Sequence, residues 1–224
     1  MDSHLVKTIA TAALTVVAIF VVARQCRKPM RWAGKPYLWL MNVTHAELTD
    51  WGLQHIAIEK AFTILDVGCG GGKTVAKLAA LASEGKVYGI DYSSESVATS
   101  RRTNAALIAA GRVDIRQGTV SHLPYPDGTF DVVTAVETHY YWPNPVEDMR
   151  EIRRVLKPGG RLVLIAEAYK SEGYAVATQL VMKLLRAKYL TVREHRELLS
   201  AAGYAVVTMF EEPGKGWLCG VARK

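Results

Sequence analysis

Ile64-Leu65-Asp66-Val67-Gly68-Cys69-Gly70-Gly71-Gly72 is the stretch whose reading decides the fold. Ile64 to Val67 reads as a short buried strand, and the glycines break it into a loop ahead of a helix from about Lys73 to Ser83. Four glycines in the five positions 68–72 are costly in conformational entropy. They make sense where backbone must turn sharply and lie flush against a ligand. The next apolar run, Val87-Tyr88-Gly89-Ile90-Asp91, closes on a second carboxylate. A strand–loop–helix–strand unit that ends on an acidic residue sets that residue to accept hydrogen bonds from a ribose diol.

Spacing separates the nucleotide-type ligands that such a unit could take. A dinucleotide loop beginning at Gly68 needs Gly or Ala at position 73, where Lys73 stands. A phosphate-cradling loop ending in Gly72-Lys73-Thr74 needs its first glycine where Val67 stands. Asp66-x-Gly68-x-Gly70-x-Gly72 resembles instead the cofactor loop of class I S-adenosylmethionine-dependent methyltransferases. The resemblance runs from about Tyr37 to the C-terminus. It implies that the loop backbone lies against the methionine part of S-adenosylmethionine and that Asp91 holds the ribose. The implied cofactor set is Asp66, Gly68, Cys69, Gly70, Gly72, Asp91 and Tyr92, with Thr119 and Val120 near the adenine. Relatives carry an acidic residue where this chain has Thr119, so a backbone contact at Val120 is the substitute. Cys69 reads as small packing beside the ligand, since no neighbouring base marks it as a nucleophile.

The chain has 224 residues, half of them hydrophobic and 22% charged, enough for one substantial α/β core. Its three cysteines lack disulfide or metal spacing and point to a reducing compartment. The net charge of +7 is concentrated at one end. Residues 1–40 carry Lys7, Arg24, Arg27, Lys28, Arg31 and Lys35 against Asp2 alone, and the remaining 22 basic and 20 acidic residues nearly cancel. Basic charge therefore forms a collar and not a groove, which argues against a nucleic-acid partner.

Beside that collar, Ile9 to Ala23 holds fifteen residues without a charge. Extended back to Leu5 the segment spans roughly 28 Å as a helix, close to the ~30 Å hydrocarbon core of a bilayer. The positive-inside rule then puts the rest of the chain on the cytoplasmic side of a single-pass anchor. A cleaved signal segment and a buried core helix are the other readings of the same residues. The expected division is an anchor with its basic flank over 1–28, a linker and lid helix over 29–60, and a methyltransferase domain over 61–224.

Downstream, Ser93-Ser94 caps a helix running to about Ala110, Val113 to Gly118 forms a third strand, and Phe130 to Ala135 a fourth. Asn144 caps the next helix, with Pro145 in its first turn. Arg154-Val155-Leu156-Lys157-Pro158-Gly159-Gly160 turns into a fifth strand, Arg161 to Ala166. The Phe-Asp-Val-Val strand start, this turn and the glycine loop together resemble the ubiquinone/menaquinone C-methyltransferase group. A helical insert (168–189), a capping box at Thr191 and Glu194, and a hairpin from Ala205 to Ala222 complete the chain. The resemblance implies a Rossmann-like seven-stranded sheet, mostly parallel with an antiparallel last strand, and helices on both faces.

The run Glu137-Thr138-His139-Tyr140-Tyr141-Trp142 leaves the fourth strand where such sheets open. Glu137, His139 and Glu167 are the candidate catalytic residues, with Glu137 expected to hold the tautomer of a His139 base. Tyr140, Tyr141 and Trp142 are expected to wall a flat, small-molecule acceptor. No spacing marks a metal site. The competing reading is a membrane-held protein that binds S-adenosylmethionine without catalysis.

Overall fold

The structure is a computed structural model that describes residues 45–170, 176–185 and 187–224. Its middle layer is a sheet of β1 (Thr63–Val67), β2 (Lys86–Asp91), β3 (Val113–Gln117), β4 (Phe130–Val136), β5 (Leu156–Ala166), β6 (Val206–Glu212) and β7 (Trp217–Arg223). They lie in the order β3-β2-β1-β4-β5-β7-β6. The first five are parallel, and β7 runs antiparallel between β5 and β6. The seven-stranded sheet with its antiparallel last strand is thus as expected.

Helices cover both faces, which is why the central strands are near-continuous apolar runs. On one face Leu65, Val133 and Leu162 pack with Met149 and Ile152 of α5 (Pro145–Val155) and Leu199 of α7 (Val192–Ala201). On the other, Ile64, Val132 and Val163 pack with Leu48 of α1 (Ala46–Leu53), Leu78 of α2 (Lys73–Leu81) and Val97 of α3 (Ser94–Thr103). Alternation along each strand sends neighbouring residues into opposite cores.

Three local expectations change. The helix expected over 94–110 is broken at Asn104 (φ −107°, ψ 19°) into α3 and a short α4 (Ala105–Ala109). The Asn104 amide explains the break, because it donates to the Gly72 carbonyl at 3.0 Å and so fastens the helix to the glycine loop. Asn144 makes no side-chain cap on α5; Asp148 reaches back instead to accept from the Asn144 N–H at 3.0 Å. Within the expected insert, α6 (Val176–Leu184) is the described helix. The capping box of α7 is formed by Thr191 and Glu194 as expected.

The expected anchor at 1–28 lies outside the described residues, as does the linker up to residue 44. Among the described residues no helix is long and apolar enough to cross a membrane. The lid expected over 29–60 is described from His45 on, as α1.

Helix α1 packs against β5 through Gly52. A Cβ built there would lie 2.5 Å from Ile165 Cδ1, so the Ile165 side chain sits directly on the helix backbone. Leu48 and Leu53 complete the seat. Gly52→Leu should therefore lift α1 while leaving the sheet intact. Hydrogen exchange should quicken by about tenfold or more for the amides of residues 47–53, with β1 and β4 unchanged; unaltered protection of α1 would show that this contact does not hold it.

Candidate active site

Strands β1 and β4 are neighbours although β2 and β3 lie on the far side of β1, so the connections reverse direction between them. A crevice opens at such a reversal, beyond the carboxyl ends of the strands. Here it is a cavity of about 650 Å³ running from the glycine loop and Asp91 to Glu137, Tyr141 and Trp142.

The glycine loop is held as a cradle. Gly68, Gly70 and Gly72 have φ of 76°, 49° and 84°, the left-handed region where side chains are strained. Space is a second constraint, since a Cβ on Gly68 would lie 2.4 Å from Thr138 Cγ2. The Gly68 and Cys69 N–H groups donate to the Ile90 carbonyl at 2.8 and 3.1 Å. Asp91 accepts from the Gly70 N–H at 3.0 Å and from the Ser93 N–H at 2.8 Å, so one carboxylate joins the loop to the end of β2. Burial raises its pKa, and those two donors oppose the rise.

Asp66 is buried against the same cavity and accepts from the Thr134 hydroxyl at 2.7 Å. Burial pushes its pKa up to about 7, and the nearby Asp91 adds to the rise. Cys69 faces the Ser100 hydroxyl at 3.8 Å, and burial holds its thiol well above the usual range. It is inert packing, as read from the sequence. Tyr92, Thr119 and Val120 also line the cavity. Of the residues expected at the cofactor all but Gly72 line this one space, and Gly72 closes the loop behind it through Asn104.

The acceptor end differs from its expectation. Glu137 has φ 57°, the one positive value on a non-glycine among the described residues. This breaks strand alternation, and the chain winds at once into a 3-10 turn, His139–Tyr141. Glu137 and Thr138 therefore both face the cavity, as do Tyr141 and Trp142, whereas His139 and Tyr140 turn away. The expected Glu137–His139 pair does not form. Tyr140 instead donates its hydroxyl to Glu137 Oε1 at 2.9 Å, and the Glu167 N–H donates to the same oxygen at 2.6 Å.

Glu167 stands behind the wall, 3.3 Å from Nε2 of His45, and the His45 ring does reach the cavity. The donor atoms of His45, Glu137 and Glu167 all lie within 4.8 Å of one another. Burial pushes the Glu137 pKa up to about 7, opposed by His45 and reinforced by Glu167. For His45, burial lowers the pKa, but Glu167 and Glu137 outweigh it and the net shift is upward. His45 was legible only as part of a lid, since nothing in its spacing ties it to residues 92 and 122 positions further on.

His139 is paired with His195 behind the site, Nε2 to Nε2 at 2.9 Å. His195 Nδ1 lies 2.8 Å from the Thr191 carbonyl and must carry the proton there. Its Nε2 is then the acceptor, and His139 Nε2–H is the donor. The pair is neutral, and burial lowers both pKa values, that of His139 well below its usual value with His195 adding to the effect.

The pair has a pH signature with a definite sign. Between its lowered folded values and the unfolded value of about 6.5, the unfolded chain binds more protons, so the pair's contribution falls as pH falls. Asp66, Glu137 and His45, all shifted upward, pull the other way. The comparison must therefore be with a variant. Relative to His139→Gln/His195→Gln, the unmodified chain should lose about 2 kcal/mol of stability between pH 7 and 5.5, read from urea midpoints. A constant difference would mean that the rings take up protons in the fold as readily as in the unfolded chain.

Comparison with known proteins agrees with this geometry. A family model described as a methyltransferase domain matches residues 65–164. The chain is 30% identical over 162 residues to a demethylmenaquinone methyltransferase of Bacillus mycoides, covering 67% of this chain and 68% of that one. It is 34% identical over 123 residues to the enzyme of the same name from Lactiplantibacillus plantarum, covering 54% and 52%. It spans about half the length of several other curated relatives it matches. Among solved structures, an S-adenosylmethionine-dependent methyltransferase from Aquifex aeolicus superposes with a TM-score of 0.66 at 23% identity, over 80% of this chain and 92% of that one. A chain of a Haloferax volcanii complex with the Trm112 methyltransferase activator reaches 0.73 at 22% identity, over 86% and 95%. With the glycine cradle, the sheet order and these relatives in agreement, the chain belongs to the class I methyltransferases that use S-adenosylmethionine as methyl donor.

Proposed function

We propose that this chain methylates a small, lipophilic, ring-bearing acceptor at the cytoplasmic face of a membrane to which residues 1–28 anchor it. The observation that carries the reading is the continuity of the cavity. One end is a glycine cradle with two carboxylates, and the other has aromatic walls and the Glu137 cluster. The first end fits S-adenosylmethionine by its chemistry. Asp91 offers a carboxylate to the ribose diol, the open loop accepts close backbone approach, and Asp66 suits a cationic group. When bound, S-adenosylmethionine supplies a methyl group on a positively charged sulfur.

Everything else falls to the protein's own side chains. Alignment is the first requirement of an in-line displacement, and the fixed loop on one side with Tyr141 and Trp142 on the other meets it. Water exclusion follows from α1 lying over the crevice through His45, Ala46 and Thr49. Glu137 and Glu167 are the acidic groups at the acceptor end, and His139, buried in its pair, serves as support for the turn that carries Tyr141. The cytoplasmic placement rests on the uncharged run Ile9–Ala23 and its basic flank. A lipophilic acceptor is favoured by relatives whose names give demethylmenaquinone, a quinone, as substrate.

Two measurements test the proposal. Calorimetry should show S-adenosylhomocysteine binding, weakened by about 1.5–3 kcal/mol in Asp91→Ala, the range for a hydrogen bond to a charged group. Full-length protein with S-adenosylmethionine should release S-adenosylhomocysteine when given phenols or hydroquinones. Cofactor binding with no acceptor-stimulated release across such a panel would favour a non-catalytic binding protein. For the anchor, removal of residues 1–28 should move the protein from the membrane fraction to the soluble fraction with cofactor affinity intact. Full-length protein that is soluble without detergent would remove the anchor.

A further inference from the structure

Three chain segments deliver His45, Glu137 and Glu167 to one corner of the cavity: the residue before α1, the turn after β4, and the residue after β5. His45 is fixed there by its own backbone, whose carbonyl accepts from the Thr49 N–H at 2.9 Å and the Thr49 hydroxyl at 2.7 Å. Its side chain is 14% exposed and lines the cavity. Nε2 faces the Glu167 carboxylate at 3.3 Å. A carboxylate beside one ring nitrogen keeps the proton on that nitrogen and leaves the lone pair on the other. His45 Nδ1, the other nitrogen, has no partner among the described residues.

We propose that His45 is the general base of this enzyme, taking the hydroxyl proton of a neutral phenol or hydroquinol acceptor while Glu167 holds its tautomer and Glu137 stabilises the imidazolium. This rests on the methyl-transfer reading above. Neither carboxylate suits the task as well. Glu137 Oε1 is already occupied by the Tyr140 hydroxyl and the Glu167 N–H, and Glu167 does not reach the cavity wall. Two carboxylates in this corner also repel an anionic acceptor and favour a neutral one. A phenolic hydroxyl, with a pKa of about 10, keeps its proton at neutral pH and needs a base. The rings of Tyr141 and Trp142 give its apolar part a wall.

The step balances simply. The acceptor O–H bond breaks and its proton passes to His45 Nδ1. The freed oxygen pair forms the bond to the methyl carbon as the carbon–sulfur bond breaks, and that bond's electrons remain on sulfur. His45 then returns the proton to water.

Two experiments on the full-length protein decide the matter. The first needs no acceptor. Histidine NMR of the protein with S-adenosylhomocysteine, with His45 assigned from its loss in His45→Gln, should show titration above the usual value of about 6.5 and a fall in Glu167→Gln. Glu137 and Glu167 are the titratable groups that act on His45 among the described residues, so Glu137→Gln should lower its titration as well. Titration at or below the usual value, unmoved by Glu167→Gln, overturns the proposal. Stoichiometric Mn²⁺ or Zn²⁺ binding lost in His45→Gln also overturns it, by making the cluster a metal site. The second compares two acceptors at pH 8.5: 4-methoxyphenol, still protonated, and 4-nitrophenol, already an anion. His45→Gln should cut kcat on the first by about 10²-fold or more and leave the second within a few-fold. Equal losses on both would reduce His45 to positioning and overturn the assignment. If the unmodified enzyme methylates neither, the acceptor class proposed above fails, and the NMR result still decides the state of His45.

Discussion

The carboxylate of Asp91 is the joint on which the site depends. One oxygen takes the Gly70 N–H and the other the Ser93 N–H, so the cradle, the end of β2 and the start of α3 are bound to one group. Asn104 then closes the circle from the far end of α3 by donating to Gly72. A loop with three positive-φ glycines is entropically expensive to order. These few hydrogen bonds hold it in one shape before any ligand arrives. Preorganisation of this kind lets binding energy go into alignment and not into folding the loop.

The opposite wall is built on a different principle. Glu137 leaves its strand in a left-handed conformation and is pinned by a tyrosine hydroxyl and a backbone N–H. Behind it a neutral histidine pair ties the 3-10 turn to the first turn of α7. His139 and His45 thus divide their roles by surroundings. Among the described residues His139 meets another imidazole and the rings of Tyr140 and Trp142 and stays neutral, whereas His45 has two carboxylates and binds a proton more readily. Residue type alone does not separate them.

That division marks where sequence reading works and where it stops. The cradle was legible because its constraints are local: glycines at fixed offsets, and an acid closing the next apolar run. The strands were legible as apolar runs, whereas their arrangement in one seven-stranded sheet was what the family resemblance implied. The acceptor end was not legible, because its geometry hangs on one torsion at Glu137 that no propensity announces. Glu137 and His139 were expected to act as a pair, and a single left-handed residue sends them apart. His45 was hidden for another reason. Its partners are remote in the chain, and the docking of α1 through Gly52 is a tertiary event. The break at Asn104 belongs to the same class, since a residue that looks like helix surface is spoken for by a distant carbonyl.

The left-handed torsion at Glu137 has a consequence for how this protein can change. For a residue with a side chain that conformation costs of order 1 kcal/mol, and glycine escapes the cost. Glu137→Gly would release that strain but take away the oxygen that the Tyr140 hydroxyl and the Glu167 N–H share, a loss of the same order or larger. The torsion and the two hydrogen bonds hold each other in place, and engineered variants of this fold should be checked there first.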